Sequence, residues 1–184
     1  ALSRERWEHI KEMNLLPHLK SVLDSGKVRR IGFSFHDDYE VFEEILNAYD
    51  WDFCQIQFNY MDTDIQAGLR GYELAKSKNI PMTIMEPVKG GMLANVPEEI
   101  KAEFRRVHPD WSDASWALRW VGDHDNVQTV LSGMSTLEQV IDNVKTFSEI
   151  EPLNAEELNT IEQARQLFQA RIQVPCTGCR YCMP

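Results

Sequence analysis

The chain has 184 residues, 43% of them hydrophobic, which is enough apolar material for one sizeable core. Its formal net charge of −10 argues against nucleic acid and anionic membrane surfaces as partners, because both require clustered cations. No apolar run approaches the roughly 18–20 residues of a spanning helix, and no signal-peptide pattern opens the chain, so we expect a soluble, cytoplasmic protein.

The beginning of the chain alternates between helical and strand patterns. Residues 3–24 have the apolar spacing of two short helices, interrupted at Pro17 and stopped by Gly26. A strand is predicted over residues 31–35, and the apolar positions from 41 to 49 predict the buried face of a helix. Because the helical pattern begins close to Ala1, an upstream segment is expected.

The same strand-and-helix unit then recurs. Short apolar runs predict further strands at residues 53–58, 82–86 and 128–131. Helices are predicted over residues 65–78, after a Ser112 cap, after the capping-box pattern Ser135–Glu138, and from Asn154 with Glu157 in its first turn. The apolar stripe after residue 138 consists of Val140, Ile141, Val144 and Phe147. Residues 88–111 are predicted to form a long connection.

This alternation predicts an α/β fold with a parallel sheet and right-handed crossovers. Four strands could form a small doubly wound sheet or half of an eight-stranded barrel. No G-x-G-x-x-G sequence follows any predicted strand, so the sequence lacks the glycine fingerprint of a Rossmann unit.

The stretch from Ile80 to Leu93 joins a short apolar run abruptly to Pro-Val-Lys-Gly-Gly. Gly90 and Gly91 would let the backbone approach a ligand closely, and Lys89 offers a cation for an anion such as phosphate. An ordinary strand-to-loop turn is the alternative interpretation.

Five motifs stand at the predicted strand ends, in this order: Gly26–Ser34, Gln55–Asn59, Met85–Gly91, Ala117–Val121, and Leu131–Gln139 with Asn143. Together they resemble the second half of an aldo-keto reductase. The resemblance implies a (β/α)8 TIM barrel, with strands five to eight and the preceding helix in this chain. Residues 1–150 would form the C-terminal half of the barrel, and residues 151–184 a helix and a cysteine-rich tail.

The family transfers hydride between a nicotinamide, NAD(P), and a small carbonyl or alcohol substrate. Its catalytic Asp, Tyr, Lys and His lie on the earlier half of the barrel and have no counterpart here. The resemblance therefore implies the cofactor-binding half of an oxidoreductase, inactive as a fragment. His36 lies just beyond the first strand and is assigned a loop or capping role.

The resemblance also implies a set of cofactor-binding residues. Ser34 and Gln55 match positions that hold the nicotinamide carboxamide, and Met85 stands where an aromatic ring commonly stacks on the nicotinamide. Phe35 stands where the family often has Asn. The remaining matches are Lys89, Gly90 and Gly91 on the pyrophosphate side, Gly133 and Ser135 before the last barrel helix, and Gln139 and Asn143 within it.

Gln139 occupies the position where NADP-preferring members often carry Arg, and Asn143 the position that contacts the adenine edge. A neutral amide cannot supply the ionic contact that a 2′-phosphate favours, so the sequence favours tolerance of NAD. A solvated helix residue is the alternative for Gln139. Among the acidic residues, Glu86 is expected to cap the following loop, and Asp62 to cap a helix.

The four cysteines are unevenly placed. Cys54 lies in an apolar run and is expected to be buried and unreactive. Cys176, Cys179 and Cys182 resemble a bacterial iron–sulfur run, which implies the branch of the family with a ferredoxin-like tail and a 4Fe-4S cluster. The sequence supplies no fourth cysteine there, and zinc with an outside ligand or a metal-free tail are the alternatives.

Two functions therefore remain open. The chain is either the cofactor-binding half of an oxidoreductase whose tail cluster passes electrons, or a non-catalytic half-barrel that serves assembly and carries a metal-binding tail. A half-barrel sheet leaves two edges open, which predicts either a missing N-terminal half-barrel or self-association.

Overall fold

The structure, a computed structural model, describes residues 1–148 and 150–171. Its elements in chain order are α1 (Arg4–Glu12), α2 (Leu16–Asp24), β1 (Gly32–Ser34), α3 (Tyr39–Ala48), β2 (Phe53–Gln57), α4 (Gly68–Ser77), β3 (Met82–Met85), a 3₁₀ turn (Lys89–Ala94), α5 (Glu98–Val107), α6 (Asp113–Gly122), β4 (Val127–Val130), α7 (Leu137–Ser148) and α8 (Ala155–Arg171).

The four strands form one parallel sheet in the order β1-β2-β3-β4, which confirms the predicted α/β architecture. Each strand is separated from the next by at least one helix, as parallel pairing requires. Within the part of the chain that the structure describes, β1 and β4 are the edges of the sheet. Leu2 makes one parallel bridge to Phe35 beside β1.

The two faces of the sheet have different environments. Cys54, Ile56 and Ile84 are fully buried beneath the helices, whereas Ser34 and Gln55 on the opposite face are only partly buried. The main core lies between the sheet, α3 and α4, and a second apolar cluster joins α5, α6 and α8. The two faces of the sheet therefore differ in burial and in polarity.

Two predicted helix caps are confirmed. The Ser112 side chain accepts the backbone N–H of Ser115 at the start of α6. At the start of α8, Asn154 accepts the N–H of Glu157, while the Glu157 carboxylate accepts the N–H of Asn154. This reciprocal pair satisfies backbone donors that the first turn of a helix leaves free.

Two details of the sequence prediction were wrong. The capping box before α7 lies one residue later than predicted, with Thr136 and Gln139 as its members. The connection over residues 88–111 contains the helix α5, whose Ile100 and Phe104 are buried. The sequence made no prediction about burial of the apolar stripe of α7, on which Ile141 and Val144 are each 59% exposed.

No helix among residues 1–148 and 150–171 combines the length and the apolar character needed to cross a membrane.

Candidate functional site

The carboxyl ends of the parallel strands meet at one edge of the sheet, where Ser34 ends β1 and Met85 ends β3, while Gln55 lies in the middle of β2. Ser34 and Gln55 are direct neighbours in the register of β1 and β2. The side-chain amide of Gln55 lies 3.5 Å from the sulfur of Met85. The structure thus brings together the three residues assigned to the nicotinamide, whereas Phe35 is fully buried in the main core.

A cleft of about 500 Å³ opens between the turn after β3, the loop after β4 and helix α7. Five predicted residues line it: Gly90, Gly91, Gly133, Gln139 and Asn143. Its apolar walls come from Pro87, Val88, Ala94, Ala114, Leu131 and Met134. Ser34, Gln55, Met85, Lys89 and Ser135 lie outside its lining. A cleft with apolar walls and a few convergent polar groups is typical of small-molecule sites.

Lys89 does not project into this cleft. Its ammonium donates to both carboxylate oxygens of Asp62, the longer contact being 2.6 Å. The Asp62 side chain is only 2% exposed, and its carboxylate also accepts from the side-chain amides of Gln57 at 2.8 Å and Asn59 at 3.0 Å. Removing one partner of such a buried pair leaves an uncompensated charge. Lys89 is therefore committed to a structural contact.

Asp62 is the residue that the sequence prediction misjudged most. It is a buried acceptor between the ends of β2 and β3 instead of a helix cap. Asn59 adds a bond from its amide to the carbonyl of Glu86, 3.1 Å long, so the same cluster also holds the start of the turn after β3. No local pattern signals this role, because the partners are distant in the chain.

Glu86 caps the turn that follows β3, as the sequence predicts. Its carboxylate accepts the backbone N–H of Gly90 at 2.7 Å, and both residues line the cleft. Glu86 has φ 56°, a left-handed conformation that is uncommon outside glycine. Among the residues that the structure describes, it is the only charged side chain in the cleft lining.

The other side of the cleft is held by neutral groups. The Gln139 side-chain oxygen accepts the backbone N–H groups of Ser135 at 2.7 Å and Thr136 at 3.2 Å. The Asn143 amide donates to the Ser132 hydroxyl at 2.8 Å. Gln139 thus belongs to the capping box of α7, while its side chain is exposed and lines the cleft.

A chain of polar contacts runs along the strand ends towards Asp62. His36 is exposed in the loop after β1, with Nδ1 lying 3.0 Å from the Gln66 side-chain oxygen. The Gln66 amide donates to Gln57 at 3.2 Å, and Gln57 contacts Asp62. His36 accordingly has the expected loop position. Gln57 lies within the Gln55–Asn59 motif but was given no role there, and Gln66 stands in no recognisable motif.

The described residues contain one of the four cysteines. Cys54 is fully buried, and burial raises the pKa of its thiol to about 12, in agreement with the expected inert role. Cys176, Cys179 and Cys182 lie outside the described residues. Within residues 1–148 and 150–171, no group of three or more His, Cys, Asp or Glu side chains could hold a metal ion.

Comparison with known proteins identifies the fold. The sequence profile of the Aldo/keto reductase family matches residues 3–166. The chain belongs to this family. No curated protein sequence matches the chain.

Several solved structures share the fold. The holo form of the aldo-keto reductase AKR11C1 from Bacillus halodurans superposes with a TM-score of 0.66 at 24% identity, over 81% of this chain and 54% of that one. An aldo/keto reductase from Klebsiella pneumoniae, solved with NADP and acetate, superposes at 0.63 and 20% identity, over 80% and 52%. The chain thus spans about half the length of these relatives.

Proposed function

We propose that the protein is the cofactor-binding half of an NAD(P)-dependent oxidoreductase, which transfers hydride between the nicotinamide and a small carbonyl or alcohol. The observation that carries this proposal is the cleft, because it draws together Gly90, Gly91, Gly133 and Asn143 from two loops and a helix. These residues are distant in sequence, yet the family resemblance assigns all of them to one dinucleotide. The NADP complex of the Klebsiella pneumoniae relative supports the same cofactor class.

The strand ends would hold the nicotinamide and the cleft the rest of the dinucleotide. The hydroxyl of Ser34 and the amide of Gln55 offer both donors and acceptors, which a carboxamide requires. Met85 lies beside Gln55 and supplies a polarizable surface for a ring. Lys89, held by Asp62, would act through the backbone of the turn that it fixes. The cofactor, when bound, supplies the hydride chemistry.

Acceptance of NAD forms part of this proposal. Gln139 uses its side-chain oxygen within the capping box, and no cation lines the described part of the cleft. A 2′-phosphate would therefore lack the charge-assisted contact that it favours.

We further propose that the four strands correspond to strands five to eight of a (β/α)8 barrel. Edge strand β4 is followed by α7, whose exposed apolar face offers a surface for the helices or strands of a completing half. That half is an N-terminal half-barrel or a second copy, and only an N-terminal half-barrel would also supply the proton-donating tyrosine. The chain alone would then be inactive. The alternative is a non-catalytic half-barrel that serves assembly, which the same exposed apolar face of α7 also favours.

Titration with NADH and NADPH, followed by fluorescence in the presence of the completing half, tests the cofactor proposal. Saturable binding is expected, weakened by Asn143→Ala by about tenfold because one polar contact is lost. Asn47→Ala on α3 is the matched control, since Asn47 lies outside the cleft and bonds a backbone carbonyl of its own helix. Absence of saturation, or equal weakening by both substitutions, would contradict the proposal.

The 4Fe-4S cluster at Cys176, Cys179 and Cys182 is a separate proposal, supported by their spacing alone. Anaerobic purification should yield iron and a broad absorbance at about 400 nm, as thiolate-bound clusters show. Cys176→Ser should remove both signals, whereas Cys54→Ser should leave them intact. A protein that contains zinc, or no metal, would refute the cluster.

A further inference from the structure

The turn from Glu86 to Gly91, which we call the β3 turn, has a backbone that is fixed independently of its acidic side chain. The Asn59 amide holds the carbonyl of Glu86, and Asp62 holds the ammonium of Lys89. Both anchors lie behind the turn in the buried cluster at the end of β2. The Glu86 carboxylate can therefore leave its position without the loss of either anchor.

The backbone N–H groups of this turn have unequal partners. Lys89 donates to the carbonyl of Glu86 at 3.1 Å, and Gly91 donates to the carbonyl of Val88 at 3.0 Å. Gly90 instead donates to a side chain, the Glu86 carboxylate. Of these three amides, only the Gly90 N–H depends on a side chain. Rotation of the Glu86 side chain would therefore leave it without this partner.

The charges around the cleft make this contact consequential. Lys89 is turned towards Asp62, so its charge is offset outside the cleft, whereas Glu86 lies in the lining. A carboxylate within a few ångströms of a bound phosphate disfavours it by like-charge repulsion. The cleft that we assign to a dinucleotide thus contains an anion of its own.

We propose that Glu86 is a specificity-determining residue of the cleft, which competes with the phosphate groups of an anionic ligand for the Gly90 N–H and for the space beside it. This inference rests on the proposed cofactor function and names the residue that limits its affinity. A ligand can occupy the space beside the Gly90 N–H only when the Glu86 carboxylate rotates away. The residue thereby favours ligands with less negative charge at this point of the cleft.

Two substitutions separate this role from that of a simple loop cap. Glu86→Gln keeps an oxygen that can accept the Gly90 N–H but removes the charge, whereas Glu86→Ala removes both. Competition predicts that both variants bind NADH more tightly, by about five- to tenfold after solvent screening. A capping role predicts unchanged binding for Glu86→Gln and weaker binding for Glu86→Ala.

The ligands and the salt concentration provide the controls. Adenosine, which is uncharged, should bind equally well to the wild type and to Glu86→Gln. The advantage of Glu86→Gln for NADH should shrink as ionic strength rises, because salt screens the repulsion. Glu40→Gln, at an exposed position on α3 outside the cleft, should bind NADH as the wild type does. Equal gains for adenosine and NADH would overturn the inference.

Inorganic pyrophosphate distinguishes this inference from the proposed cofactor function. In one outcome, pyrophosphate binds Glu86→Gln more tightly than the wild type while NADH shows no saturable binding to the wild type or to either variant. In that case Glu86 has the proposed role and the cofactor assignment fails. If NADH saturates with the same dissociation constant in the wild type and both Glu86 variants, the cofactor assignment stands and the role of Glu86 is refuted.

Discussion

Helices α3 and α7 have similar apolar patterns but opposite environments. On α3, Phe42 and Ile45 are fully buried, whereas on α7 Ile141 and Val144 are each 59% exposed. Both helices follow a strand of the same parallel sheet. The comparison teaches that an amphipathic pattern specifies a face suited to burial, while the neighbouring elements decide whether that face is covered.

The position of each helix in the sheet explains the difference. The helix α3 follows β1 and is covered by α4, which belongs to the next unit of the chain. The helix α7 follows β4, an edge strand in the described structure, and packs against the preceding helix α6. No further described strand pairs with β4, so the outer part of the α7 stripe stays exposed.

The largest expected effect comes from two phenylalanines at corresponding faces of these helices. Phe42→Ala should lower the free energy of unfolding by about 3–5 kcal/mol, because it leaves a cavity in the main core. Phe147→Ala on α7, where Phe147 is 39% exposed, should lower the free energy of unfolding by only about 1–2 kcal/mol. Urea unfolding measures both, and Phe42→Leu provides a milder variant if Phe42→Ala does not fold. Equal costs would show that α7 is covered in solution.

Helices α3 and α4 pack too closely to accept an added methyl group between them. A Cβ added at Gly71 of α4 would meet the Ala67 Cβ at 2.6 Å and the Phe42 ring at 3.1 Å. Gly71→Ala should therefore destabilise the fold by about 1–2 kcal/mol, although alanine favours a helix. Gly133→Ala is the control for unfolding, because its Cβ would meet nothing within 4 Å. Stabilisation by Gly71→Ala would mean that α3 and α4 pack less closely.

The outer side of α3 also has partners. Hydrogen bonds from Lys11, Trp7 and Arg4 lower the pKa of the Glu44 carboxyl to about 2. Because the pKa of Glu44 is lower in the folded state than its unfolded value of about 4.5, the ionised carboxylate stabilises the fold at pH values above 4.5. This stabilisation is lost as the pH falls towards 2. Solvent screening limits it to about 1 kcal/mol at neutral pH.

Glu44→Gln should remove that contribution at pH 7 and flatten the fall in stability between about pH 4.5 and 2, as measured by urea unfolding at several pH values. Glu40→Gln serves as the control, because Glu40 is exposed in the first turn of the same helix. An unchanged pH profile for Glu44→Gln would contradict the role of this cluster.

The smallest effect on folding is expected on α7. The double variant Ile141→Lys and Val144→Lys should change the free energy of unfolding by less than about 0.5 kcal/mol, because both positions are exposed. It should nevertheless weaken association with the completing half-barrel or a second copy by at least about tenfold, since charges would be buried there. Sedimentation velocity measures the association.

Leu158→Lys on α8 is the matched control for association, because Leu158 is an exposed apolar residue on another helix. Association of the double variant at wild-type strength, or equal weakening by the control, would exclude α7 as the assembly surface.

Much of the fold follows from local sequence patterns. The alternation of apolar runs with helical spacing predicted all four strands, and short-range signals predicted the caps at Ser112 and Asn154. These features are local because a cap satisfies backbone donors within its own first turn. The family motifs also anticipated five residues that line the cleft.

The sequence by itself determined the four strands, the parallel sheet and the types of side chain at the strand ends. Only the tertiary structure decided the buried pairs between the ends of β2 and β3: Lys89 with Asp62, and Asn59 with the carbonyl of Glu86. The physical reason is that a charged or amide group takes the nearest available partner, and distant strands decide which partner is near.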